Sequence, residues 1–188
     1  MMNKQQLTLP CIQYFRAPAS TVNSREAVSI AMLFQYITGE RYHRETELLR
    51  TLTDEKERKA FKAKHFDFVT FSGTFSYRKD SCLIQHSNLL CLDLDHVGPQ
   101  LEELKLRLPA DPLLETELLF TSPSGDGLKW VVEIDLSRCS HRQWFTAIRH
   151  YVRATYAIEV DEKCINESRS CFLPKDLTAY VNPLICAF

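Results

Sequence analysis

The run at residues 88–96, N-L-L-C-L-D-L-D-H, constrains the fold of this chain more than any other stretch. Read as a β-strand, its side chains alternate, so Asp93 and Asp95 leave one face while Leu92 and Leu94 point the other way into a core. Two carboxylates on one face lie close enough to hold a divalent ion between them. Magnesium and manganese are hard ions that take oxygen ligands, and a carboxylate pair completed by substrate phosphates is a common way to hold them. The competing reading is structural: Asp95 and His96 end the strand, and Gly98-Pro99 makes the turn that follows.

A chain of 188 residues fits one domain with a real core, and 45% hydrophobic with 25% charged residues is ordinary for a globular protein. There is no long apolar run and no apolar signal region behind M-M-N-K-Q-Q, so the expectation is a cytoplasmic protein without a membrane contact. Seven cysteines, none spaced C-x-x-C, read as buried thiols or bystanders instead of a zinc site or disulfide frame. A net charge of −1 argues against a broadly basic nucleic-acid binder but leaves a local groove open.

Along the chain, the first twenty residues read as an extended lead-in with an edge strand at 11–15. Asn23 and Glu26 have capping-box spacing ahead of a buried helix at 27–37 that stops at Gly39. Helices are expected at 45–52 and 54–65, the second with its lysines on a solvated face. From His65 the pattern turns to β, with a bend at Ser72-Gly73-Thr74 that is either an ordinary turn or an anion-docking backbone. After residue 88 the expected elements are the aspartate strand, a helix at 101–108, strands at 117–121 and 130–134, a helix from Ser140 to near Tyr156, and short strands at 158–161, 170–173 and 178–181.

That order predicts an α+β protein: an N-terminal helical and αβ part, about residues 1–80, packed on a ferredoxin-like, RRM-like βαββαβ antiparallel sheet over 81–188. In such a sheet the first and third strands are neighbours. The loop S-P-S-G-D-G-L-K at 122–129 then lies near Asp93 and Asp95, and its glycines and serines suit a backbone approached by phosphate, with Lys129 as the adjoining cation. It is not a Walker loop, since G-x-x-x-x-G-K is absent. Asp161, at the end of a strand expected beside the first, offers a third carboxylate; alternatively it only forms a turn. Arg169 faces either a phosphate or Glu162 and Glu167. The Arg142, Arg149 and Arg153 helix face and the basic 56–64 helix are candidates for tracking a template strand.

The set Asp93-x-Asp95, Ser122 to Lys129, and Val160-Asp161 resembles the three motifs of the archaeo-eukaryotic primase superfamily, the primase-polymerase fold. F-S-G-T-F at 71–75, the block from His86, and S-R-S-C-F-L-P-K-D at 168–176 more closely resemble the VirE N-terminal (BT4734-like) type of domain of bacterial mobile and integrated elements, over about residues 65–183. The resemblance implies a nucleotidyltransferase acting in DNA replication. It makes Asp93, Asp95 and Asp161 ligands of Mg²⁺ or Mn²⁺ and catalytic residues, and Ser122, Ser124, Gly125, Gly127, Lys129 and Arg169 contacts of a nucleoside triphosphate. It also implies DNA as partner, as single-stranded template or primer-template, a helicase-like region in cis or trans, and a longer parent protein. Lys129 stands where the superfamily usually has histidine, a departure that bears on catalysis more than on nucleotide binding. The alternative is a nucleotide- or nucleic-acid-binding module with weakened chemistry.

Overall fold

The computed structural model describes residues 11–19, 24 and 26–186. In chain order its regular elements are β1 (Ile12–Phe15), β2 (Glu26–Val28), α1 (Ile30–Thr38), α2 (His43–Thr51), α3 (Glu55–His65), β3 (Phe68–Thr70), β4 (Gly73–Phe75), β5 (Leu83–His86) and β6 (Leu89–Leu94). They continue with α4 (Leu101–Arg107), β7 (Thr116–Thr121), β8 (Leu128–Glu133), α5 (His141–Tyr156), β9 (Cys171–Phe172), β10 (Tyr180–Val181) and α6 (Pro183–Cys186). The protein is α+β, and every strand pair among the described residues is antiparallel.

The central sheet runs β10-β7-β8-β6. Leu90, Leu92, Leu94 and Trp130 on one face pack with Leu104 of α4 and Phe145, Ile148 and Val152 of α5. Leu89, Leu118, Phe120 and Val131 on the other face pack with Ile30, Leu33 and Ile37 of α1 and with Ile12 and Val69 of a second sheet, ordered β2-β1-β3-β9. Both faces are therefore buried, unlike the usual antiparallel sheet with one wet side. The hairpin β4-β5 is tied to the second sheet by Gln13, whose buried side-chain amide accepts from Phe75 N (2.8 Å) and donates to Phe75 O (3.1 Å).

Several expectations change. Asn23 lies outside the described residues, and Glu26 belongs to β2, paired with Tyr14, instead of a helix cap. The cap of α1 is Ser29, whose hydroxyl accepts from Met32 N at 3.2 Å. Gly73 opens β4 at φ 147°, where an added Cβ would sit 2.1 Å from Gln85 O. The glycine thus permits close strand approach. Residues 158–161 form no strand. Ala157 in the left-handed region precedes them and a 3₁₀ turn over Glu162–Ile165 follows, leaving room for a single backbone bond to β6, from Asp161 N to Asp93 O at 3.0 Å. On α5, Arg149 pairs with Glu162 (2.7 Å) and Arg153 with Glu159 (3.0 Å), so these two cations meet carboxylates of their own chain. No helix among the described residues is long and apolar enough to cross a membrane.

Candidate metal centre and cleft

Alternation along β6 sends Asp93 to the same face as Leu89 and Cys91, and the β6–β8 register sets it directly across from Lys129. The two side chains form an ion pair, Asp93 8% and Lys129 9% exposed. Burial acts to lower the Lys129 ammonium, but the Asp93 charge outweighs it and holds the lysine above its ordinary value. Burial raises the Asp93 carboxyl; Lys129 opposes the rise and Asp95 adds to it. Only one Asp93 oxygen is engaged by Lys129: Oδ1 is buried with no hydrogen-bond partner. A bare buried carboxylate oxygen is costly unless a cation or donor meets it.

The backbone bond to Asp93 docks Asp161 beside β6, and its side chain then accepts from Lys163 N at 3.0 Å, starting the 3₁₀ turn. With Asp95, just past the end of β6, the three carboxylates offer oxygens that all lie within 4.8 Å of one another. Oxygens sharing one Mg²⁺ sit about 3 to 4.2 Å apart, given a metal–oxygen distance of about 2.1 Å. At its widest this donor set lies just outside that range, and an all-oxygen set suits a hard divalent cation. Asp161 also pairs with Arg169 at 2.7 Å.

The loop after β7 packs against this end of the sheet. Ser122 N donates to Gly127 O (2.7 Å) and Gly125 N to Ser122 O (2.9 Å), while Ser124 Oγ donates to Asp126, whose other oxygen meets His96 Nδ1 at 2.9 Å. Gly127 lies so close to β6 that an added Cβ would be 2.7 Å from Leu94 O. Arg50 of α2 donates to Pro123 O (3.4 Å) and Arg58 of α3 to Ser124 O (3.3 Å), tying the loop to the N-terminal part. Beneath it, Asp176 accepts from Thr121 N (2.7 Å), Thr178 N (2.9 Å) and Lys105 Nζ (3.1 Å).

The result is a cleft of about 330 Å³, the size of a small-molecule site. Asp93, Asp95, Asp161, Lys129 and Arg169 line it together with Ser122 and Ser124. Gly125 and Gly127 do not line it; they shape the loop behind its wall. The helix α3, read from sequence as solvated, supplies Glu55, Lys59 and Lys62 to the wall, and Lys163 and Phe172 also line it. The one sequence signal for α3 was the i, i+4, i+7 spacing of those three residues, which a solvent-facing stripe shares. Behind Asp93 a cavity of about 20 Å³, room for one water, is bordered by Cys91, Cys164 and Cys171. Burial pushes the Cys164 thiol up to about 12, so it stays protonated, and all seven cysteines are free, as expected.

A second acidic group, Glu115, Glu117 and Glu133, lies elsewhere on the central sheet, where the Asn182 amide bonds Glu115 at 3.1 Å and Glu117 at 3.4 Å. Neither a curated protein nor a solved structure matches the chain. The family model described as BT4734-like, N-terminal domain, matches residues 60–180, a stretch that holds all three clustered aspartates, the serine-glycine loop and Arg169. More than half of the sequence is covered by that match, and the chain belongs to the BT4734-like N-terminal domain family.

Proposed function

We propose that this chain is a metal-dependent nucleotidyltransferase of the primase-polymerase type, akin to VirE N-terminal domains and serving DNA replication of a bacterial mobile or integrated element. The observation that carries the reading is the approach of the Asp93, Asp95 and Asp161 oxygens to within 4.8 Å, one residue of the three keeping a bare buried oxygen. Mg²⁺ or Mn²⁺ held there would activate a 3′-hydroxyl and stabilise the pyrophosphate leaving a nucleoside triphosphate.

The chain's own residues have separable tasks in this reading. Asp93 is anchored by Lys129, which fixes its carboxylate and leaves Oδ1 without a hydrogen-bond partner. Arg169, at present on Asp161, turns to a phosphate in this reading once the acids are neutralised. Ser122 and Ser124 bring hydroxyls to the cleft wall on a loop held by arginines from two helices. The proposed nucleic-acid partner is a single-stranded template or primer-template, with a helicase-like region in cis or trans.

One observation favours a second reading, a nucleotide- or nucleic-acid-binding module with weakened chemistry: Lys129 already occupies one oxygen of Asp93. Labelled-nucleotide incorporation on primed and unprimed single-stranded DNA, with Mn²⁺ or Mg²⁺, separates the two. The polymerase reading expects incorporation that Asp93→Ala abolishes. Nucleic-acid retention without incorporation, surviving Asp93→Ala, supports the module, and phosphate release without template would instead indicate a phosphoesterase.

A further inference from the structure

Charge in the cleft is unevenly satisfied. Five cationic side chains face four carboxylates there. Lys59 is taken by Glu55 at 2.6 Å, Lys129 by Asp93 and Arg169 by Asp161 at 2.7 Å. Lys62 and Lys163 make no ion pair among the described residues, and of these two Lys62 is half-buried while Lys163 is exposed. Lys62 stands within electrostatic reach of two cations, Lys129 and Arg58, and of two carboxylates, Asp95 and Asp93, the second of which is already paired with Lys129. A partly desolvated ammonium beside another ammonium is unfavourable unless an anion joins them. Asp95 is the one carboxylate of the cleft without an ion pair among the described residues, and it is the group a metal would claim.

A divalent ion on the aspartates would add two positive charges to a cleft whose cations already outnumber its acids by one. A monophosphate, with about two negative charges, leaves part of that surplus uncompensated, whereas the triphosphate of a nucleotide, with about four, covers it. We propose that Lys62 of α3 binds the triphosphate of the incoming nucleotide, so that α3 is a working wall of the site and selects a polyphosphate over a monophosphate. The proposal rests on the nucleotidyltransferase reading and extends it to a helix at the N-terminal edge of the family match. A lysine suits the task, since its compact charge on a long stem reaches phosphate oxygens without a fixed fork geometry.

The test is the affinity of the full chain for a nucleoside triphosphate and for the matching monophosphate, measured calorimetrically with Mn²⁺. Lys62→Ala should weaken triphosphate binding roughly tenfold or more, the loss of a charge-assisted contact, and monophosphate binding by much less. Lys62→Arg should restore most of it. Lys56→Ala, on the same helix but outside the cleft wall, should stay within about twofold, the effect expected of an exposed charge. If Lys62→Ala binds like the parent while Asp93→Asn has lost binding, Lys62 has no such role and the metal-site reading survives. Equal losses in Lys62→Ala and Lys56→Ala, or a loss that Lys62→Arg does not restore, likewise overturn the proposal. A parent chain that binds no triphosphate with Mn²⁺ removes both readings.

Discussion

Replacing Asp176 with alanine should cost about 3 kcal/mol of folding stability, because one side chain closes the sheet beneath the serine-glycine loop. Its carboxylate holds the Thr121 amide, the Thr178 amide and hydroxyl, and Lys105, whose ammonium end is itself largely buried. Removing one partner of a buried pair strands the other, which typically costs about 3–5 kcal/mol, and the residual exposure of the Lys105 side chain argues for the low end. Asp176→Asn keeps the shape and one acceptor and should lose about half as much. For a chain of this length 3 kcal/mol corresponds to a melting temperature about 6–12 °C lower, readable by calorimetry and by urea midpoint. The pH dependence gives a second reading. Burial works to raise the Asp176 carboxyl, but Thr121, Thr178 and Lys105 prevail and hold it at about 2, below the ordinary 3.8. A depressed carboxyl stabilises the fold above its unfolded value and loses that contribution as pH falls, here between 3.8 and about 2. The amount is of order 2 kcal/mol, so Asp176→Asn should show a flatter acid limb in that window. A change under about 1 kcal/mol for Asp176→Ala, or an unchanged acid limb for Asp176→Asn, would refute the argument.

Gly127→Ala would set a Cβ 2.7 Å from Leu94 O and 3.3 Å from Asp95 Cα, so the loop must lift from the end of β6. The expected cost is about 1–3 kcal/mol together with weaker Mn²⁺ binding, and an alanine variant unchanged in both urea midpoint and metal titration would contradict the packing described. His86 Nδ1 accepts from Asn88 N at 2.9 Å, which leaves Nε2 to donate to His141 Nδ1 at 3.1 Å. Burial lowers both imidazoles from 6.5 to about 4, with the neighbouring His141 adding to the effect on His86. Because the folded values are depressed, stability is complete above pH 6.5 and drains as pH falls toward 4. The loss is of order 3 kcal/mol for a ring taken singly. Urea midpoints followed from pH 7.5 to 4.5 should fall, and fall less in His86→Gln; parallel curves would dismiss the histidine pair as the cause.

Much of the site was readable from residue order because its parts are local. Period-two alternation put Asp93 and Asp95 on one side of a strand, and the glycines before Lys129 marked a tight connection to the neighbouring strand. The capping box that begins α5 is likewise written in four consecutive residues. What escaped was non-local or short. β1 pairs with β2 and β3 on either side, and no periodicity exists in a three-residue strand such as Glu26–Val28. Asp161 arrives beside Asp93 through one backbone bond instead of a ladder. The lysines of α3 look the same in sequence whether they meet water or a cleft, and only the docking of that helix against the loop through Arg58 separates the cases. The ion pair between Lys129 and Asp93 follows from sheet register, which sequence alone leaves open.

The double-sided burial of the central sheet bears on how this chain can be cut and still behave. A fragment starting at β6 would retain the three aspartates and the serine-glycine loop, yet Leu89, Leu118, Phe120 and Val131 would face water as a contiguous greasy plane. Such a piece would be driven to self-associate or to borrow a covering surface from another molecule. The described residues from Cys11 to Phe71 therefore cover the hydrophobic interior and also supply one bank of the cleft, and removing them forfeits both at once.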